Sequence, residues 1–103
     1  MPYVVRFTQR YDPRHRDAFM KVEAKFAAMD RRRDDFPRGR RSQPYAGREP
    51  SNTLIWDCAF ASLAEAQSAL AKISGDSEHE ALFREQVPYM TELYTEIFEI
   101  LEL

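Results

Sequence analysis

A strand that passes into a helix with almost no loop constrains this chain more than any other feature. Thr53 to Phe60 (Thr-Leu-Ile-Trp-Asp-Cys-Ala-Phe) is rich in β-branched and aromatic residues and reads as a strand. One residue later, Ser62-Leu63-Ala64-Glu65 has the form of a capping box. In that motif the Ser hydroxyl accepts from the N–H three residues on, and the Glu side chain reaches back to the cap N–H. The helix must begin where the strand stops. Such a corner calls for a sheet with helices layered on it, an α+β fold.

The remaining elements fall around that corner. Tyr3 to Gln9 reads as a first strand, with Val4, Arg6 and Thr8 on one face and Tyr3, Val5, Phe7 and Gln9 on the other. Tyr11-Asp12-Pro13 ends it, since the residue before proline is held extended. From His15 to about Arg32, Ala18, Phe19, Val22, Phe26 and Met29 form one apolar stripe of a helix, with Lys21, Glu23 and Lys25 toward solvent. Arg40 to Tyr45 suits an edge strand, where Pro44 is tolerable, and Gly47 to Ser51 reads as a turn. A second helix is expected from Leu63 to about Ile73, stopped at Ser74-Gly75. Ser77 to Gln86 reads as a short helix.

The tail is ambiguous by periodicity, because residues 94–102 suit a helix or a strand equally. A strand over Thr95 to Leu101 is expected for an architectural reason. Three strands with helices on one face lack a partner, and a fourth completes β-α-β-β-α-β, the ferredoxin-like order with a four-stranded antiparallel sheet. At 103 residues the chain has the length of one domain, spanning residues 1–103.

Charge is divided along the chain. Residues 1–50 hold thirteen Lys/Arg against seven Asp/Glu, and residues 51–103 hold two against ten. Such halves attract one another, within a subunit or between subunits. The Arg31-Arg32-Arg33 and Arg38/Arg40/Arg41 clusters are interrupted by Asp30, Asp34 and Asp35, and no nucleic-acid signature accompanies them. Cys58 is the only cysteine, so an internal disulfide is excluded and a reducing cytoplasm is expected. The first residues lack the pattern of a signal peptide, and no apolar run approaches the ~20 residues that span a bilayer. No membrane and no nucleic-acid partner is expected.

Three features together resemble the dimeric α/β-barrel proteins, in particular the NIPSNAP-like and antibiotic-biosynthesis monooxygenase-like branches. They are the opening strand with Arg6, the Pro-x-x-Gly … Asn-Thr-x-x-Trp-Asp hairpin from Pro44 to Asp57, and the Phe-x-Ser-Leu-x-Glu-Ala corner from Phe60 to Ala66. The resemblance implies two sheets packed face to face across a twofold axis, so a homodimer. Sheet physics points the same way. A face carrying Val4, Thr8, Ile55 and Ala59 would be left bare on a monomer, and a second copy would cover it.

Two kinds of function stay open on the sequence. One is a small homodimeric binding protein, holding a hydrophobic or anionic small molecule in the barrel cavity. The other is a cofactor-independent monooxygenase or isomerase acting on an aromatic small molecule. The candidate ligand-binding residues are Arg6, Asp57, Trp56, Tyr94, Arg41 and Tyr45. Arg6 and Asp57 read either as the polar floor of a cavity or as an ion pair closing the dimer, since a buried charge must be paired. Trp56 reads as a stacking surface or as core, and Cys58 as a small buried hydrophobe. His79 invites a haem or metal reading through the resemblance, because some relatives of this fold degrade haem with a helical His. Its neighbours Glu78 and Glu80 point to different helix faces, so no metal and no cofactor is expected.

Overall fold

The computed structural model describes residues 2–103. Strand β1 (Tyr3–Tyr11) leads through a 3-10 turn at Pro13–His15 into helix α1 (Arg16–Arg32). Strands β2 (Arg40–Ser42) and β3 (Thr53–Phe60) follow, then helices α2 (Leu63–Gly75) and α3 (Ser77–Gln86). A second 3-10 turn at Val87–Tyr89 precedes β4 (Met90–Glu99). The sheet is antiparallel in the order β2-β3-β1-β4. This is the ferredoxin-like arrangement, with α2 and α3 sharing the second helical position.

Pairing fixes which side chains meet the helices. Phe7 lies between Trp56 and Thr95, and Arg6 lies between Asp57 and Glu96. On the helix side, Val5 and Trp56 pack with Val22, Phe26, Met29, Phe36, Ala66 and Ile73 in one buried cluster. Tyr11, Phe19 and Leu54 form a second cluster at the far end of β1. Asn52 locks that end of the sheet. Its carbonyl accepts from the Tyr11 N–H at 3.1 Å, and its side-chain amide donates to the Tyr11 carbonyl at 2.7 Å.

The β-α corner forms with one adjustment. The Ser62 hydroxyl accepts from the Glu65 N–H at 3.2 Å, as a capping box requires. The Glu65 carboxylate, however, accepts from the N–H of Ala61 at 3.1 Å, one residue before the cap. The tail is a strand, but it starts earlier than expected and ends sooner. The Val87–Tyr89 turn contains Pro88 and redirects the chain, so that Met90 already pairs with Tyr11. The last backbone bond runs from the Ile100 N–H to the Pro2 carbonyl at 2.9 Å, where β1 offers no further partner. The edge strand stops at Ser42 rather than Tyr45. Pro44 has no N–H for a ladder, and the chain swings away through Gly47, whose φ of 137° lies in the left-handed region.

Glu23 departs most from the sequence reading. It was expected in solvent, yet only 7% of it is exposed. Helical spacing explains this, since Phe19, Glu23, Phe26 and Asp30 follow one another at intervals of four, three and four residues and share a face. No described helix is long and apolar enough to cross a membrane.

The cap at Ser62 is local and measurable. Ser62→Ala should lower the urea midpoint without changing the slope, a loss of about 1 kcal/mol. No shift in the midpoint would mean that the cap does not set the corner.

Candidate functional site

Between the sheet and the helices lies a cavity of about 120 Å³. Its apolar wall is Phe7 and Trp56, neighbours in the β1–β3 register, whose rings stack with centroids 5.0 Å apart and planes 17° from parallel. Phe26, Phe36 and Phe83 close the helix side. The indole of Trp56 is held from the other direction by backbone. A Cβ on Gly39 would lie 2.1 Å from its Cε2, so this position needs glycine for the close approach. Leu93 and Thr95 of β4, both exposed, stand at the cavity's edge.

The polar wall comes from three elements. Arg41 on β2 donates from Nε to Glu23 Oε2 at 2.6 Å and from Nη2 to Asp30 Oδ2 at 3.1 Å. The second oxygen of Glu23 accepts from the Gln86 side-chain amide at 2.9 Å. Asp30 Oδ1 accepts from no group among the described residues. Burial works against the Arg41 charge but is outweighed by Glu23 and Asp30, so its pKa is raised. Burial pushes the Asp30 carboxyl up, and the Arg41 pair opposes this only in part.

His79 completes that wall from α3. Asp76 caps the helix by accepting from the His79 N–H at 2.9 Å. Asp76 is itself held by Arg33 at the end of α1, through two bonds of 2.8 Å. Arg33, and then the bond from His79, lower the Asp76 carboxyl to about 2. The His79 ring is tilted against Phe26 at 4.9 Å. Its own polar atoms make no side-chain hydrogen bond among the described residues. Burial lowers its pKa, while Asp76, Asp30 and Glu23 pull the other way. A neutral imidazole and an unfilled carboxylate oxygen therefore border the same aromatic space. That arrangement can hold a planar molecule by its ring and accept hydrogen bonds from it. Among the described residues no group of three His, Cys, Asp or Glu side chains is placed to hold a metal ion.

The six sequence candidates separate into three places. Trp56 and Arg41 line the cavity. Arg6, Asp57 and Tyr94 lie on the opposite, open face of the sheet, so Arg6 and Asp57 do not form this cavity's floor. They pair with each other instead, Arg6 Nε donating to Asp57 Oδ1 at 2.8 Å and Nη2 to Oδ2 at 3.3 Å. The Asp57 bond, against a smaller cost of burial, raises the Arg6 pKa. Tyr94 sits opposite Thr8 on that face. Tyr45 stands fully exposed in the loop after β2 and touches neither site. Cys58 is half-buried, and burial pushes its thiol up, away from nucleophilic reactivity. Glu23 and Asp30 were missed. The signal was present in their seven-residue spacing through Phe26, but Glu23 reads toward solvent beside Lys21 and Lys25, and Asp30 reads as a break in the arginine cluster.

No family model matches the sequence, and no curated protein matches it. Solved structures do. An uncharacterized NIPSNAP domain protein from Burkholderia xenovorans is 15% identical, with 96% of this chain and 94% of that one aligned at a TM-score of 0.76. A NIPSNAP family protein from Agrobacterium tumefaciens is also 15% identical, over 96% and 92% of the two chains, at 0.74. A Caulobacter crescentus protein named "putative antibiotic biosynthesis monooxygenase" is 17% identical over 98% and 91%, at 0.77. These likenesses show the fold. They agree with the resemblance drawn from the hairpin and the corner. At such identities they carry no activity across.

Two measurements probe the site. Gly39→Ala should displace the indole, shift the Trp56 emission and cost about 1–3 kcal/mol through overpacking; unchanged emission and stability would remove the proposed contact. His79 also makes stability depend on pH. Its folded pKa lies below the ordinary value of 6.5, so its contribution is complete above 6.5 and is lost as pH falls through the lower folded value. Thermal melts of the wild type should therefore decline between pH 7.5 and 5 more steeply than those of His79→Gln, and parallel curves would contradict the buried neutral ring.

Proposed function

We propose that this protein is a homodimer that binds a small planar molecule in the cavity between its sheet and its helices. The observation that carries the ligand is the stacked Phe7–Trp56 wall facing Asp30 and His79 across about 120 Å³. An apolar cavity of roughly 150 Å³ takes up benzene, so a single ring is the matching size. The aromatic walls supply contact area, and the two acceptors orient the guest.

The open face of the sheet supports the dimer. It carries Val4, Ile55, Ala59 and Phe98, the last 40% exposed, with the Arg6 guanidinium 5.1 Å from the Phe98 ring. Across the four strands runs the row Arg40, Asp57, Arg6, Glu96, alternating in sign. Read from its other end, that row begins with the opposite charge. A copy related by a twofold axis along the strands therefore meets opposite signs, and the apolar residues beside the row are covered at the same time. A cytoplasmic place belongs to the same reading, resting on the lone thiol of Cys58.

A second reading, a cofactor-independent oxygenase or isomerase, is favoured by one observation. The His79 imidazole, whose pKa burial lowers, borders the cavity without a side-chain hydrogen bond among the described residues and suits a general base. In that reading the unprotonated ring nitrogen of His79 takes the hydroxyl proton of a phenolic guest, leaving an imidazolium and a phenolate that reacts with dioxygen or takes the proton back at another position, while Asp30 orients the guest and Arg6 and Asp57 hold the dimer.

Light scattering at micromolar concentration should return twice the chain mass of 12.1 kDa. Phenol, used as a probe, should produce a saturable change in Trp56 emission. Arg6→Ala should weaken the dimer and leave phenol binding in place, because Arg6 is on the far face. A monomeric mass would reject the dimer, and an emission that ignores phenol would reject the cavity.

A further inference from the structure

We infer that the cavity ligand carries a positive charge: a single aromatic ring bearing an ammonium or amidinium group, with the ring on the Phe7–Trp56 wall and the cation at Asp30. This rests on the ligand-binding reading above and specifies its substrate class. The polar wall holds two carboxylates, Glu23 and Asp30, against one guanidinium, Arg41. Among the described residues no other Lys or Arg lines the cavity.

Arg41 is already committed. It spans the two carboxylates through Nε and Nη2, and the three together leave the polar wall with one negative charge in excess, which disfavours an anionic guest. Glu23 is also saturated, one oxygen bound to Arg41 and the other to the Gln86 amide. What remains is Asp30 Oδ1, on a side chain only 14% exposed and without a donor among the described residues. A sequestered carboxylate is stabilised most by a charged donor. The unfilled carboxylate oxygen thus selects a cation, and the aromatic wall selects the ring that carries it.

Three probes of similar shape separate the possibilities at neutral pH: benzylamine, benzyl alcohol and benzoate. Trp56 is the only tryptophan and lines the cavity, so its emission reports occupancy directly. Benzylamine should bind about tenfold more tightly than benzyl alcohol, the scale of one charge-assisted hydrogen bond, and benzoate most weakly. Asp30→Asn should bring benzylamine down to the alcohol's affinity while leaving the alcohol unchanged. If benzyl alcohol or benzoate binds as well as benzylamine, the charge assignment is overturned and the cavity reading survives. If Asp30→Asn folds and keeps the full preference, Asp30 is not the receptor. Should that variant fail to fold, the order of the three probes on the wild type decides alone. If none of the three alters Trp56 emission, both the inference and the binding reading fall.

Discussion

Everything about this molecule depends on the register of β1 between β3 and β4. Because side chains alternate with period two, a slip of one residue would exchange the two faces of the sheet. In the observed register Phe7 meets Trp56 and Thr95, while Arg6 meets Asp57 and Glu96. One face thereby becomes a stacked aromatic floor under helices, and the other becomes an alternating row of charges. The register is held by burial, since Val5 is 1% exposed and would face solvent after a slip. The paired ions of Arg6 and Asp57 add specificity, because the same slip would leave them unmatched.

The polar groups beneath the helices form a connected set that ties distant parts of the chain together. Arg41 from the short edge strand spans Glu23 and Asp30 on α1, and Gln86 at the end of α3 takes the remaining oxygen of Glu23. A partly buried network of this kind is costly to break from one side. Removing Arg41 would leave Glu23 and Asp30 without a cation, a loss of roughly 3–5 kcal/mol. β2 is only three residues long, so this network anchors it as much as its backbone bonds do. The same three charges give the cavity its electrostatic sign.

The two faces divide the functional reading. Residues on the helix side bear on the proposed guest, and residues on the open side on the proposed second subunit. That separation lets a change at Arg6 and a change at Asp30 be read independently. Capping adds a third relation. Arg33 and Asp76 join the end of α1 to the start of α3, and Asp76 in turn fixes the residue whose ring borders the cavity.

The sequence by itself determined the elements and their faces. Alternation in Tyr3–Gln9, a strand that the structure carries on to Tyr11, and in Thr53–Phe60, together with Ser62 and its cap, required a sheet with helices on one side. It placed Trp56 and Asp57 on opposite faces correctly. It also carried, in the spacing of Phe19, Glu23, Phe26 and Asp30, a face that was read too simply as apolar residues in and acids out. Only the tertiary structure decided what those acids meet. Arg41 lies eleven and eighteen positions from Asp30 and Glu23, and Gln86 lies 63 from Glu23, with intervening loops whose paths no local pattern encodes. The tail was decided in the same way. Its periodicity suited helix and strand alike, and the open edge of β1 selected the strand by supplying backbone partners from Tyr3 to Tyr11.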